Sequence, residues 1–368
     1  MAQIRYESLL IEQALAQEYG REMERALRAM RGLNDIKAMV REFEAEFASY
    51  IGVRNAVAVN SGSDALKMAL LLAGVGPGDE VIIPDLTYQA VALAVIYCGA
   101  TPVLVDALKE DLQMDPQAVQ RAVTPRTKAL IGAHMFGRPC DVQKIGVICR
   151  EHNIIFIEDV CQAESSRFQG RMLGSFSDMA VFSFSYYKPL SSCGGGGGMV
   201  VADDDRIDRI RRWMENWRGD RELLQLGQRF APLSFMDLIA LRVKLGHIHE
   251  IIASRQKIKA VYEQELGGLA DLMIFRDGSG VDSVPQNFVI AYPQRDLLLN
   301  FLQAQGVIVQ RPYPPIHLAG LLSDSPGGNF PVSEWYAHTC LHLPLYSFMT
   351  QVKARDVVRS LRWFLENK

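Results

Sequence analysis

The sequence predicts an α/β protein: a large three-layer α/β/α domain on a mostly parallel sheet, followed by a smaller C-terminal α+β domain. Three features of the chain point there. Short apolar runs rich in β-branched residues recur from 56 to 159 and alternate with helical stretches. That is the pattern of strands buried on both faces by crossover helices. Past about 245 a long helical region gives way to separate strand-like and helical segments. A chain of 368 residues is also too long for one small core and suggests about two domains. The expected division is 1–245 and 246–368.

Along the chain, the first fifty or so residues read as helical, with Val40, Phe43, Phe47 and Ile51 recurring at three- and four-residue spacing. VAVN (57–60), EVIIP (80–84), PVLVD (102–106), KALIGAH (128–134) and IIFIED (154–159) read as strands. Helices are expected between most of them, at 63–73, 88–98, 116–122 and 142–152. MAVFSF (179–184) and MVVAD (199–203) bring the sheet to seven strands. A helical region from about 233 to 266 carries Leu241, Leu245, Ile248 and Ile252 on one stripe. Beyond it FVIAY (288–292) and VIVQ (307–310) read as strands, with helices at 295–305 and 352–366.

Composition narrows the function classes. Apolar residues make up 49% of the chain and charged residues 22%, the balance of an ordinary globular protein. A net charge of -3 offers no basic field to a nucleic-acid backbone. The arginines at 206–212 are interrupted by acids, as on a solvated helix face. Cys98, Cys140, Cys149, Cys161, Cys193 and Cys340 are scattered without a C-x-x-C pair. Neither a disulfide framework nor a zinc knuckle is expected, and a reducing cytoplasm fits. The opening MAQIRYESLLIEQ carries charges in its first turns and lacks an apolar export core. The longest apolar run, 90–100, falls short of the roughly 20 residues a membrane span needs.

The chemistry concentrates between 158 and 199. Asp159 ends a buried strand, where desolvation penalises a lone carboxylate. A protonated pyridine nitrogen is a suitable partner, and a buried cap or ion pair is the plainer alternative. Glu158 precedes it and is expected on the opposite face. Gln162, three residues on, is placed to bond a phenolic oxygen. Lys188 follows the strand MAVFSF and is flanked by aromatics, then by five consecutive glycines at 194–198. A lysine so placed loses its proton readily, as Schiff-base chemistry requires; an isolated loop lysine is otherwise simply solvated. Acid and amine together suit the two ends of pyridoxal 5′-phosphate. Ser61, Gly62 and Ser63 sit between a buried strand and a helix, where free N–H groups favour an anion, although Ser-Gly-Ser also makes a good turn and N-cap. Ser183 adds a hydroxyl to that phosphate site. Tyr88, after EVIIP, either lies flat on a ring-shaped ligand or is a bonded core tyrosine. His134 is a candidate lining residue, and Tyr313 and His317 are candidates to face substrate. His338 and His342, four apart, lack an accompanying carboxylate, so no metal site is expected.

As a set these motifs resemble the DegT/DnrJ-type sugar aminotransferases, which are fold-type-I, pyridoxal-phosphate-dependent enzymes with an aspartate aminotransferase-like fold. The family's SGT-x-AL stands here as Ser61-Gly62-Ser63-Asp64-Ala65-Leu66. GDEVI-x-P-x-x-T-[FY] appears at 78–88, GA-x-PV-x-VD at 99–106, and ED-x-x-QA at 158–163. FSF-x-x-x-K followed by G-x-GG covers 182–188 and the glycines, while RPYPPIH (311–317) and LPLY (343–346) look like the C-terminal motifs. The resemblance spans roughly 40–368. It implies that Gly62 and Ser63 hold the phosphate and that Tyr88 stacks on the ring. It also implies that Asp159 partners the ring nitrogen and that Lys188 forms the Schiff base.

The implied activity moves an amino group from glutamate or glutamine to a keto group of a nucleotide-linked sugar or related cyclitol, in a cytoplasmic homodimer with its site at the interface. Another pyridoxal phosphate reaction on a keto sugar (dehydration or epimerisation) and a non-catalytic regulatory member are the alternatives. Dehydrating relatives replace the lysine with histidine, and Lys188 argues against that branch. The sequence departs from the family at Ser63, a conservative change from threonine. The family's G-x-N-x-R segment, from which an asparagine reaches across the dimer to the other cofactor phosphate, is not cleanly present. LGQRFAPLSF offers only Gln228 and Arg229 there, and the N-terminus lacks the family's usual opening.

Overall fold

A computed structural model describes residues 9–215, 231–322 and 328–367. Two long helices come first, α1 (Leu9–Ala29) and α2 (Leu33–Ile51), and α2 ends on Gly52, whose left-handed φ of 86° stops it. The sheet segment then runs β1 (Asn55–Val59), α3 (Gly62–Leu72), β2 (Glu80–Pro84), α4 (Ala90–Tyr97), β3 (Thr101–Val105), α5 (Pro116–Ala122), β4 (Thr127–Ala133), α6 (Val142–Glu151) and β5 (Ile155–Asp159). Two short strands, β6 (Arg167–Phe168) and β7 (Arg171–Met172), precede β8 (Met179–Ser183), β9 (Gly198–Ala202) and α7 (Asp208–Glu215).

The main sheet has seven strands in the order β1-β9-β8-β5-β4-β2-β3. The pairs from β8 through β3 are parallel, while β9 runs antiparallel to both its neighbours, β1 and β8. Alternate residues of each strand feed different cores. Val57, Val181 and Val200 pack with α3, α4 and α7, whereas Ala58, Phe182 and Val201 pack toward α2 on the other face. Farther along that second face, α5 and α6 cover Leu130 and Phe156. This is the three-layer α/β/α arrangement the alternating pattern predicts.

The remaining elements are α8 (Phe235–Gly246), α9 (Ile248–Leu266), β10 (Met273–Ile274), β11 (Val281–Asp282), β12 (Phe288–Ala291), α10 (Arg295–Ala304), α11 (Pro331–Thr339), β13 (Cys340–Leu343) and α12 (Gln351–Glu366). They build a second core from the C-terminal part of α9, β12, β13, α10 and α12, including Tyr262, Leu298 and Leu361. Two sequence expectations change here. The helical stretch from 233 to 266 breaks at His247, whose Nε2 pairs with Glu18 on α1 at 2.9 Å. VIVQ makes no strand: Val307 and Val309 are buried in the second core, and the segment carries isolated bridges at Val307 and Gln310, the latter to His342. Pro312, Pro314 and Pro315 follow and lack the N–H groups a ladder needs.

Two of the arginines near 206 are paired with acids, Arg206 with Asp204 at 2.7 Å and Arg211 with Glu44 at 2.9 Å, and Arg211 is partly buried there instead of lying on a solvated face. Among the described residues, no helix is long and apolar enough to cross a membrane.

Phe47 fixes α2 to the strand that leads to Lys188. Its ring meets Phe182 and Phe184 edge-on, at centroid distances of 5.0 and 5.6 Å. Phe47→Ala should therefore lower stability by about 3–5 kcal/mol, measured as a reduced midpoint in urea unfolding.

Candidate active site

The carboxyl ends of β1, β2, β4, β5 and β8 open into one cavity of about 640 Å³. Gly62, Ser63, Tyr88, Asp159, Gln162, Ser183 and Lys188, all the candidates for cofactor binding, line it together. This is where open α/β sheets place ligands.

At one end lies the N-terminus of α3. Ser61 caps the helix by accepting from Asp64 N at 3.1 Å, and the first turn meets β8 closely. A Cβ on Gly62 would stand 2.7 Å from Ser183 Cβ, so only glycine fits without displacing that strand. The glycine run builds the same cradle. A Cβ on Gly198 would lie 2.6 Å from the Ser61 carbonyl, and one on Gly195, at φ 73°, would enter the Tyr186 ring. Asp237 on α8 anchors the run, its Oδ1 accepting from Gly194 N at 2.8 Å. These glycines allow close passage of backbone and are no slack linker.

Asp159 sits on the cavity floor, 7% exposed, with one oxygen accepting from Cys161 N at 3.0 Å. Glu158 points the other way, as strand alternation predicts. Its oxygens accept from Gly174 N (2.8 Å), Phe176 N (2.9 Å), Ser177 Oγ (2.8 Å) and the His134 ring (3.0 Å). Burial pushes the Glu158 carboxyl up, but the hydrogen bond and charge of His134, with the Gly174 and Ser177 donors, outweigh it and hold its pKa below the usual value. His134 Nδ1 accepts from Cys140 N at 3.2 Å, which leaves Nε2 to carry the proton toward Glu158. The His134 backbone N–H also donates to Asp159 O at 3.0 Å. The ends of β4 and β5 are thereby locked together.

Tyr88 is half exposed at the mouth, its ring edge-to-face with Tyr313 at 5.9 Å between centroids. Gln162 Nε2 donates to Tyr313 Oη at 2.7 Å, while its buried Oε1 has no partner among the described residues. Burial raises the Tyr313 phenol above its ordinary value, so that hydroxyl stays protonated. Lys188 is half-buried on the loop after β8, and its Nζ donates to Gln286 Oε1 at 2.9 Å. Behind this loop Glu164 accepts from Leu190 N at 3.2 Å. Burial raises the Glu164 carboxyl to about 8 despite the pull of Lys188.

The polar groups fit a planar aromatic aldehyde carrying a phosphate: helix N–H groups and hydroxyls at one end, an acid at the floor, an amine beside it and the Gln162 side-chain amide. One sequence candidate sits elsewhere. His317 does not line the cavity; its Nδ1 pairs with buried Asp85 at 2.7 Å and its ring stacks on Phe330. His338 is exposed on α11, whereas His342 is buried on β13. Among the described residues, no group of three His, Cys, Asp or Glu is arranged to hold a metal. Gln228 and Arg229 lie outside the described residues. The sequence reading missed Ser185, Gln286, Asn287 and Arg311, which also line the cavity. Ser185 follows Ser183 by two, a spacing that returns side chains to the same side of an extended chain. The others carry no local signal beyond being polar beside a strand or proline run.

A model of the DegT/DnrJ/EryC1/StrS aminotransferase family matches residues 16–362. The chain belongs to this family. It is 35% identical to the dTDP-3-amino-3,4,6-trideoxy-alpha-D-glucose transaminase of Streptomyces venezuelae, covering 88% of this chain and 86% of that one. Identity is 36% with the erythromycin biosynthesis sensory transduction protein EryC1 of Saccharopolyspora erythraea, over 87% and 88% of the two chains. The crystal structure of S. venezuelae DesV in complex with a ketimine intermediate superposes with a TM-score of 0.91 at 33% identity, covering 100% of both chains. The protein is an aminotransferase of the DegT/DnrJ/EryC1/StrS family, with the mostly parallel seven-stranded sheet that such enzymes share.

His342 gives the cavity's small-core wall a pH dependence. Burial alone pushes its imidazole down to about 4, and its Nε2 lies 3.1 Å from Tyr336 Oη. Because the unfolded chain binds this proton near 6.5 and the folded chain only near 4, stability falls as pH drops through that interval. The loss approaches about 3 kcal/mol by pH 4. His342→Gln should flatten the pH dependence of the unfolding free energy between pH 7 and 4, measured by denaturant titration.

Proposed function

We propose that the cavity binds pyridoxal 5′-phosphate and that the protein moves an amino group from glutamate or glutamine to a keto group on a nucleotide-linked sugar or related cyclitol. The observation that carries this reading is the convergence of Asp159 and Lys188 on one cavity whose end wall is a helix N-terminus. When bound there, the cofactor supplies an electrophilic aldehyde and a cationic ring that withdraws electrons from the substrate carbon.

The residues divide the remaining work. The free N–H groups of α3, with the Ser63 and Ser183 hydroxyls, hold the phosphate. Asp159 keeps a proton on the ring nitrogen, and burial strengthens that attraction. Tyr88 closes one face of the ring. Gln162 is set to donate to the phenolic oxygen: with its amide ends exchanged, Oε1 accepts from the Tyr313 hydroxyl and the NH₂ faces the cavity. Lys188 would hold the aldehyde end of the cofactor through its amine, and the same amine would carry the proton at the substrate carbon.

Arg311 lines the outer wall, paired with Asp296 at 3.3 Å, where it can meet a donor carboxylate or a diphosphate. Among relatives, the dTDP-sugar transaminase name supports the sugar class. The half-exposed Tyr186 and Tyr187 rings at the mouth support a homodimer with the site at the contact between its two copies. No disulfide joins the six cysteines among the described residues, in keeping with a cytoplasmic setting. We divide the chain near 245 into a cofactor domain and a small domain. In support, Leu241 of α8 packs with the sheet core and Ile258 of α9 with the second core.

Two variants and one half-reaction test this. Lys188→Ala should lose nitrogen transfer by about 10³-fold or more and hold the cofactor only non-covalently. Asp159→Asn should retain covalent attachment and slow transfer by about 10²–10³-fold, measured by stopped-flow absorbance. With glutamate and no acceptor, the wild type should convert its cofactor stoichiometrically to pyridoxamine phosphate. A dehydratase, an epimerase or a non-catalytic regulator would leave it unconverted.

A further inference from the structure

The Lys188 amine has a partner that no local motif announces. Gln286 lies on the turn leading into β12, lines the same cavity and accepts from Lys188 Nζ through Oε1 at 2.9 Å. The turn is held from several sides. Arg255, buried on α9, donates to the Pro285 and Gln286 carbonyls at 3.1 and 3.3 Å and to Ser347 Oγ at 3.0 Å. Val284 N donates to Ser166 Oγ at 2.9 Å. Gly137 approaches so closely that a Cβ there would stand 2.6 Å from Val284 O. A side chain on so constrained a turn keeps its direction.

We propose that Gln286 is a positioning residue that fixes where the Lys188 amine stands whenever that amine is not covalently engaged. This rests on the assignment of Lys188 made above and extends it. An amide suits the task because its carbonyl oxygen accepts from an ammonium and from a neutral amine alike and adds no charge. A carboxylate there would favour the ammonium and tie up the lone pair the chemistry needs.

The titratable groups around Lys188 are Asp159 at the end of β5, Cys161 and Glu164 from the segment after it, and Tyr186 and Tyr187 from its own loop, with Arg255 and Lys244 acting on Glu164. Glu164, raised to about 8 by burial, is mostly protonated near neutrality and does not supply that opposing charge.

The test uses the full-length protein, stripped of cofactor and then given pyridoxal 5′-phosphate. Covalent capture is followed by visible absorbance; the Lys188 lone pair forms the C=N bond and the aldehyde oxygen departs as one water. Borohydride reduction and peptide mapping identify the lysine. Gln286→Leu should slow capture by about ten- to a hundredfold. Gln286→Glu, nearly identical in shape, should raise the pH midpoint of capture by about one to two units. NMR titration of the Lys188 side chain in the cofactor-free protein should move equally. Capture at a different lysine in the wild type would overturn the Lys188 assignment and this inference with it. Capture at Lys188 with unchanged rate and midpoint in both variants would overturn the role of Gln286 alone.

Discussion

A carboxylate held out of water at the end of a central parallel strand sets the terms for everything around it. Asp159 is nearly buried, and a charge in such a place is costly unless a cation or several donors meet it. Cys161 N supplies one donor. A protonated ring nitrogen on the cavity side would answer the rest, which would make the proposed cofactor an electrostatic partner of the fold as well as the source of its chemistry. The neighbouring acid shows the contrast. Glu158 faces the protein interior, is satisfied by His134, two amides and a hydroxyl, and needs no ligand at all. One residue of strand alternation separates an acid committed to the interior from one that faces the cavity.

Close backbone packing turns that acid into a site. Antiparallel β9 returns between β8 and β1, and its glycine entry passes the Ser61 carbonyl at a distance no side chain permits. Gly62 lets α3 approach Ser183 in the same way. The helix N-terminus, two strand ends and the Lys188 loop are thus drawn to one cavity, with the positive end of α3 opposite an acid and an amine. Because the scaffold beneath is a fully paired sheet with Glu158 and His134 locking β4 to β5, the groups are held before any ligand arrives.

Much of this was legible in the chain because its signals are local. Ser61-Gly62-Ser63, Asp159 with Gln162, and Ser183 with Lys188 each lie within a few residues of a strand end, where period and chemistry can be read together. The seven strands were visible as β-branched runs, and their helices as the stretches between. What escaped depends on contacts between distant segments. Gln286 and Arg311 reach the cavity only through the fold of the second core, and nothing in VPQNFVI marks a glutamine as a lysine's partner. VIVQ has the composition of a strand, yet it forms only isolated bridges, at Val307 and Gln310. His247, at the break between α8 and α9, pairs with Glu18, more than two hundred residues away in sequence. His317 has the look of a site residue and is instead committed to Asp85. Short strands such as β6, β7 and β11 are too brief to leave a periodic trace.

The central claim is that folding brings the Asp159 carboxylate and the Lys188 amine to opposite sides of one bound ring. A crystal structure of the protein grown with pyridoxal 5′-phosphate tests it most directly. The account predicts continuous density from Lys188 Nζ to the cofactor, an Asp159 oxygen within hydrogen-bond distance of the ring nitrogen, and the phosphate at the first turn of α3. A cofactor bound elsewhere, or lying in this cavity with its ring nitrogen turned away from Asp159, would contradict it.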